Sequence, residues 1–228
     1  MLKVCKFGGS SVAGAEQFRK VRDIVLSDDS RRVVVISAAG KRTSDDHKLT
    51  DLLYLCHAHL TYGVSCADIL AAIRSRFVSI RDELGLSYRV EDEFDAYAAT
   101  LSRDTSVDEL VSRGEYFTAR LMAETLGYAF VDAADCVFFG FDGQFDRART
   151  DAAIADALEK NGKIVLPGFY GRVPTGKIKV MTRGGSDITG ALAAAAVNAD
   201  VYENWTDVSG ILMADPRIVE NPRPIPRI

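Results

Sequence analysis

Two hydrophobic periods alternate along this chain. Leu2 to Phe7 has a short strand pattern, and Val33-Val34-Val35-Ile36 is a continuous β-branched run of the kind found in strands buried on both faces. Between them Phe18, Val21, Ile24 and Val25 share one helical face. A block of helices follows. One spans Leu49 to Leu60, a second carries Ile69, Ile73, Phe77, Ile80 and Leu84, and a third carries Val90, Phe94, Tyr97 and Leu101. A fourth runs from about Val107 to Leu126 with Gly127 as its C-cap. Alternation then returns, with strands over Tyr128 to Val131 and Cys136 to Phe141, a helix over Thr150 to Lys160 and a buried strand over Lys163 to Leu166. Gly171, Pro174 and Gly176 mark Gly168 to Val180 as a hairpin or loop pair. A helix over Ile188 to Val197 leads into a strand over Asp200 to Trp205. Strands alternating with helices predict an α/β fold whose sheet is covered on both faces.

Composition narrows the class. The 228 residues are 47% hydrophobic, enough to bury a sizeable core in one large domain or two closely joined lobes. A net charge of −4 offers nothing to nucleic acid or to an anionic membrane. No apolar run approaches the roughly eighteen to twenty residues that span a bilayer, and Met1 to Lys6 enters a strand pattern without a signal-peptide core. Cys5, Cys56, Cys66 and Cys136 lie far apart with no CxxC pair, as in a reduced, cytoplasmic protein. His57 and His59 are two apart in a helical pattern and point to different faces, so no metal site is expected from them.

Candidate chemistry gathers where strands end. Lys6-Phe7-Gly8-Gly9-Ser10-Ser11 lies between a strand and a helix; glycine amides there can form a nest for phosphate oxygens, with Lys6 as a point charge. Neither GxxxxGK[ST] nor GxGxxG occurs. Ser37-Ala38-Ala39-Gly40 follows the second buried strand, with Thr43 in the loop beyond, at the strand ends where open α/β sheets bind ligands. Ser112-Arg113-Gly114-Glu115 interrupts a helical pattern with a glycine. Glu115 is either a solvated helix residue or, if buried, a carboxylate needing a cationic partner such as a substrate ammonium. Arg183-Gly184-Gly185-Ser186-Asp187 sets a guanidinium, two glycines, a hydroxyl and a carboxylate at the mouth of a helix. It reads as an anion site or as a Gly-Gly turn with a Ser-Asp cap. Thr206 and Asp207 follow the last strand, and Asp215 and Arg217 flank Pro216 in a turn.

Taken together and in this order, KFGGSS at 6–11, VVVISA at 33–38, SRGE at 112–115, RGGSD at 183–187 and WTDVSG with ADPRIV at 205–219 resemble the aspartate kinases of the amino-acid kinase family. The resemblance covers the whole chain. It implies a three-layer αβα sandwich with a largely parallel central sheet. It also implies ATP, carrying Mg²⁺, and L-aspartate as the small-molecule substrates, with homo-oligomer formation left open. Lys6 and Asp187 would be catalytic: Lys6 bridging the transferring phosphoryl group, Asp187 orienting Lys6. Ser37, Thr43, Glu115, Arg183, Gly184, Gly185 and Ser186 would hold aspartate, with Glu115 on its ammonium and Arg183 on a carboxylate. Lys6, Phe7, Gly8, Gly9, Ser10, Thr206, Asp207, Leu212, Asp215 and Arg217 would line the nucleotide site, with Gly8 and Gly9 donating amides to the phosphates.

The same resemblance divides the chain into an acceptor-binding N-terminal lobe, 1–175, and the start of an ATP-binding lobe, 176–228. Family members continue past this point into more of the kinase domain and a pair of ACT domains. The chain is therefore expected to be a truncated piece, ending in a proline-rich connector where four of its six prolines fall. Two departures weaken the pattern locally: Lys179-Val180-Met181-Thr182 precedes Arg183 where TTLG is usual, and Leu212 stands where an aromatic often stacks near the nucleotide. The rival readings are a kinase for another carboxylate such as glutamate, and a catalytically incomplete binding subunit.

Overall fold

The structure, a computed structural model, describes residues 1–182, 184–206, 210, 213–214, 218–223 and 225. Among these, five strands form one parallel sheet: β1 (Lys3–Phe7), β2 (Arg31–Ile36), β3 (Ala129–Phe130), β4 (Ile164–Pro167) and β7 (Val201–Trp205), in the order β3-β4-β2-β1-β7. A separate antiparallel hairpin joins β5 (Tyr170–Arg172) to β6 (Ile178–Val180). The helices are α1 (Ala15–Leu26), α2 (Leu49–Tyr62), α3 (Ala67–Leu84), α4 (Val90–Ala98), α5 (Val107–Leu126), the single turn α6 (Ala133–Cys136), α7 (Arg147–Asn161) and α8 (Gly185–Ala196).

The period of two in a strand sends successive side chains to opposite faces, and β2 shows the consequence. Val34 and Ile36 join a core with Phe18, Leu53, Phe77 and Phe117 from α1, α2, α3 and α5. Val33 and Val35 join a second core with Ile154, Leu158 and Leu192 from α7 and α8. Both faces of the sheet are therefore covered, which makes the three-layer αβα sandwich. No helix of the described residues is long and apolar enough to cross a membrane.

Two local expectations change. Cys136 to Phe141 is not a strand: Cys136 closes α6, and Phe138 and Phe139 make only isolated bridges to Arg172 and Phe145. The Asp132 side chain caps α6 by accepting the Ala134 N–H at 2.9 Å, so the apolar run starts inside a helical turn. Gly114 does not interrupt its helix either. α5 is continuous, capped by Ser106 at its start and by Gly127 at φ +68° at its end. A Cβ at position 114 would lie 3.0 Å from Ala38 Cβ and 3.2 Å from Leu53 Cδ1. The glycine serves close packing of α5 against α2 and the segment after β2, and not a break.

Candidate active site

Parallel strands deliver their C-terminal ends to one edge of the sheet, where ligands of open α/β folds bind. Here β1 ends at Phe7, β2 at Ile36, β4 at Pro167 and β7 at Trp205. The segments leaving β1, β2 and β4, the N-terminal turns of α2 and α8, and one face of α5 enclose a cavity of about 910 Å³. It brings together Lys6, Gly9, Ser10, Ser37, Glu115, Gly184, Gly185, Ser186 and Asp187 from segments far apart in the chain.

Lys6 is buried, and its Nζ lies 2.8 Å from Asp187 Oδ1. Asn204 Nδ2 donates to the same oxygen at 3.0 Å, and the Tyr202 hydroxyl donates to the Asp187 carbonyl at 3.3 Å. Asp187 sits in the first turn of α8, whose N-cap Gly184 holds φ +80°, a left-handed conformation that glycine adopts without strain. No side chain caps α8, so the Ser-Asp cap reading falls. Its first helical residue is Gly185, three positions earlier than the periodicity predicts. Position 185 has no room for a side chain: a Cβ there would lie 2.7 Å from Phe169 Cδ2 and 2.9 Å from Met181 Cβ. Ser186 is buried against Gly168, where a Cβ would lie 2.6 Å from its Oγ.

The glycine turn after β1 is equally tight. The Gly40 N–H donates to the Gly9 carbonyl at 2.8 Å, and a Cβ on Gly40 would lie 2.7 Å from Gly9 C and O. The Gly8 N–H donates to Trp205 O at 3.2 Å, extending the β1–β7 ladder, so the amide expected to meet a phosphate is already engaged. Phe7 is likewise structural: it is buried and stacks on Trp205 with ring centroids 6.0 Å apart, away from the cavity lining. Ser37 donates its N–H to Phe7 O at 3.2 Å, which locks its hydroxyl-bearing residue to the end of β1.

Glu115 is only 5% exposed, and one of its oxygens, Oε2, has no hydrogen-bond partner among the described residues. Burial pushes its carboxyl up to about 8, opposed by the Ala38 N–H that it accepts. The solvated alternative is therefore excluded. A buried carboxylate of this kind is an acceptor for a cation, and no cationic group among the described residues pairs with it. Two residues earlier, Arg113 projects to the other side of α5 and stacks over the Tyr116 ring at 4.7 Å.

Some expected residues stand elsewhere. Thr43 is exposed in the loop between β2 and α2 and is not part of the lining, whereas Thr50, in the first turn of α2, is. Thr206 is exposed immediately after β7 and lies outside this lining. Arg183, Asp207, Leu212, Asp215 and Arg217 fall outside the described residues. The lining also includes Lys41, Lys48, Asp51, Tyr54 and Phe169, which periodicity did not single out. Phe169 carries φ +78°, uncommon for a non-glycine residue, and is held there by its N–H to Thr189 Oγ1 at 3.1 Å and by the Met181 N–H to its carbonyl at 2.7 Å. The histidines hydrogen-bond to backbone carbonyls, His57 at Thr105 and His59 at Ser65.

Chemically, the cavity offers one buried ammonium, a carboxylate positioned against it, a buried carboxyl with one oxygen unpaired among the described residues, and glycine turns where a ligand can approach the backbone. Related proteins share the fold. A solved aspartate kinase of Clostridium acetobutylicum superposes with a TM-score of 0.91 at 45% identity, over 98% of this chain and 51% of that one. Aspartokinase III of Escherichia coli, solved with aspartate and ADP, superposes at 0.82 with 30% identity, over 99% and 53%. Aspartokinase 3 of Bacillus subtilis is 34% identical over 98% of this chain and 52% of its own length. The chain thus spans about half the length of the relatives it matches. The family model for amino acid kinases matches residues 1–228, and the chain belongs to the amino acid kinase family.

Proposed function

We propose that this chain is the catalytic region of an aspartate kinase, transferring the γ-phosphoryl group of ATP to the β-carboxylate of L-aspartate. The product is 4-phospho-L-aspartate, the first step of lysine, threonine and methionine synthesis in the cytoplasm. One observation carries this reading: the buried Glu115, whose Oε2 has no hydrogen-bond partner among the described residues, faces the same cavity as the Lys6–Asp187 pair. An amino-acid ammonium supplies the charge that Glu115 lacks, and an acylated amine or a nucleotide acceptor does not. The complex of the E. coli relative with aspartate and ADP supports the same substrates.

In this reading a carboxylate oxygen is already a nucleophile, so no strong general base is needed. What the reaction needs is relief of the repulsion between two anions and an in-line approach. Lys6 supplies charge at the reacting oxygens, Asp187 and Asn204 hold it in place, and Glu115 orients the acceptor. Arg183 takes a carboxylate, as the resemblance implies. Mg²⁺ would be carried on the nucleotide phosphates, whose charge it would offset. Residues 1–175 form the acceptor side and 176–228 open the nucleotide side, joined through the β5–β6 hairpin and the pairing of β7 with β1.

Hydroxylamine trapping of the acyl phosphate tests this directly, with Mg·ATP and L-aspartate, L-glutamate or no acceptor. Aspartate-dependent hydroxamate is expected. Hydroxamate formed from glutamate and not from aspartate overturns the acceptor assignment. Absence of product with any acceptor, together with no ligand-induced rise in melting temperature, overturns the kinase reading.

A further inference from the structure

We propose that Arg76 is a positioning residue for the acceptor side of the cavity, strapping the loop 41–48 across both of its ends. Arg76 lies on α3, outside the cavity lining, and only 4% of its side chain is exposed. Its Nη1 donates to the His47 carbonyl at 2.6 Å and its Nη2 to the Gly40 carbonyl. The same Nη2 lies 3.5 Å from Asp46 Oδ2. One planar guanidinium therefore reaches the residue before the loop and the residue near its end. The loop itself is mostly exposed and is otherwise tied by Arg42, whose N–H and Nε both donate to Asp46 Oδ2, at 3.0 and 2.9 Å.

The loop matters because its two ends belong to the site. Lys41 and Lys48 both line the cavity, as does Thr50 just beyond. At the near end, Gly40 is packed directly on Gly9 of the glycine turn. Burying a guanidinium carries a large desolvation cost, and a plain contact between α3 and a loop would be served as well by an apolar side chain of similar volume. Here burial pushes the Arg76 pKa down while Asp46 opposes it, and Nε has no partner among the described residues. The geometry that offsets this cost is the fork onto two carbonyls, which a lysine cannot reproduce with its single nitrogen. The inference rests on the kinase reading for its consequence, and on geometry alone for the strap.

Hydrogen exchange and calorimetry on the whole chain test it, comparing Arg76→Met, Arg76→Lys and, as control, Arg74→Met, an exposed neighbour on α3 paired with Asp95. The amides of Arg42, Asp46 and His47 should exchange at least about tenfold faster in Arg76→Met, with the α5 amides unchanged. L-Aspartate affinity measured with ATP present should fall about tenfold, and ATP affinity should stay within about threefold. Arg76→Lys should restore the melting temperature more than it restores loop protection, and it replaces the methionine variant if that one does not fold. Unchanged loop exchange in the folded Arg76 variant overturns the strap. Faster loop exchange with unaltered aspartate affinity, or equal losses for both ligands, overturns the positioning role. Unmodified protein that binds no L-aspartate overturns the functional reading, while loop exchange still judges the strap.

Discussion

Lys6 and Asn204 are register partners across the β1–β7 ladder and meet on one oxygen, Asp187 Oδ1. Parallel pairing puts their side chains on the same face of the sheet, and α8 brings Asp187 over them. The ammonium is thereby aimed by a carboxylate that is itself held from a second strand.

This arrangement sets an order of sensitivity. Lys6→Ala should lower turnover about 10²–10³-fold, the scale of losing one preorganised donor to a developing negative charge. Asn204→Ala should cost less, about threefold to tenfold, because Asp187 keeps its contact to Lys6 and only its second donor is lost. Single-turnover kinetics on the two variants checks the ranking. An Asn204 variant as impaired as Lys6→Ala would mean that Asn204 itself contacts substrate.

Glu115 should make acceptor binding depend on pH. Its carboxyl is pushed up to about 8 by burial, so it is largely protonated at pH 6 and must ionise to pair with an ammonium. L-Aspartate affinity should therefore rise with pH between about 6 and 8, by up to tenfold per pH unit, with proton release on binding. Stability of the ligand-free protein runs the other way. The folded-state value lies above the unfolded one, so the native state binds the extra proton and stability falls as pH rises from about 4.5 through 8. Calorimetry in buffers of different ionisation heat reads the released proton. Glu115→Gln should abolish both slopes.

Much of this site can be read in the sequence, and the failures have physical causes. Lys6, Glu115 and Asp187 stand in short motifs whose residue types are chosen for their charge, and the fold brings them to one cavity. The β-branched run at 33–36 predicts its strand because all four positions are buried, and the stretch at 107–126 predicts its helix because its buried positions recur on one broad face. Thr50 and Phe169 escape notice. Thr50 looks like an ordinary first-turn helix residue, and Phe169 owes its place to a backbone angle that its side chain does not reveal. The glycine at 114 misleads for a related reason: its cause is Ala38 and Leu53, residues distant in sequence.

That packing gives a stability test. Gly114→Ala gains helix propensity of about 0.8–1 kcal/mol, which offsets much of the contact that its Cβ makes with Ala38 and Leu53. Gly114→Val adds two more methyl groups to the same gap and loses the propensity gain, so overpacking should dominate at about 1–3 kcal/mol. Urea denaturation of both variants should show a near-neutral alanine and a destabilised valine. A valine variant as stable as the parent would show that α5 and α2 can separate freely.

The last prediction concerns Glu203, on the sheet edge behind Lys6. Its carboxylate accepts from Arg31 Nε at 2.8 Å, Trp205 Nε1 at 3.0 Å and Cys5 Sγ at 3.3 Å, and pairs with Lys3 Nζ at 3.2 Å. Burial alone would raise its pKa, but these donors outweigh it and hold the group at about 2. The folded value lies below the unfolded one, so the contribution is fully present above about pH 4.5 and disappears as pH falls toward 2. From that shift it amounts to about 3 kcal/mol at neutral pH. Glu203→Gln should therefore be destabilised by a few kcal/mol at pH 7 and by much less at pH 3, measured by urea unfolding at the two values. Equal destabilisation at both would mean that shape and hydrogen bonding, and not charge, give the residue its worth, and that the acid sensitivity of the fold has another source.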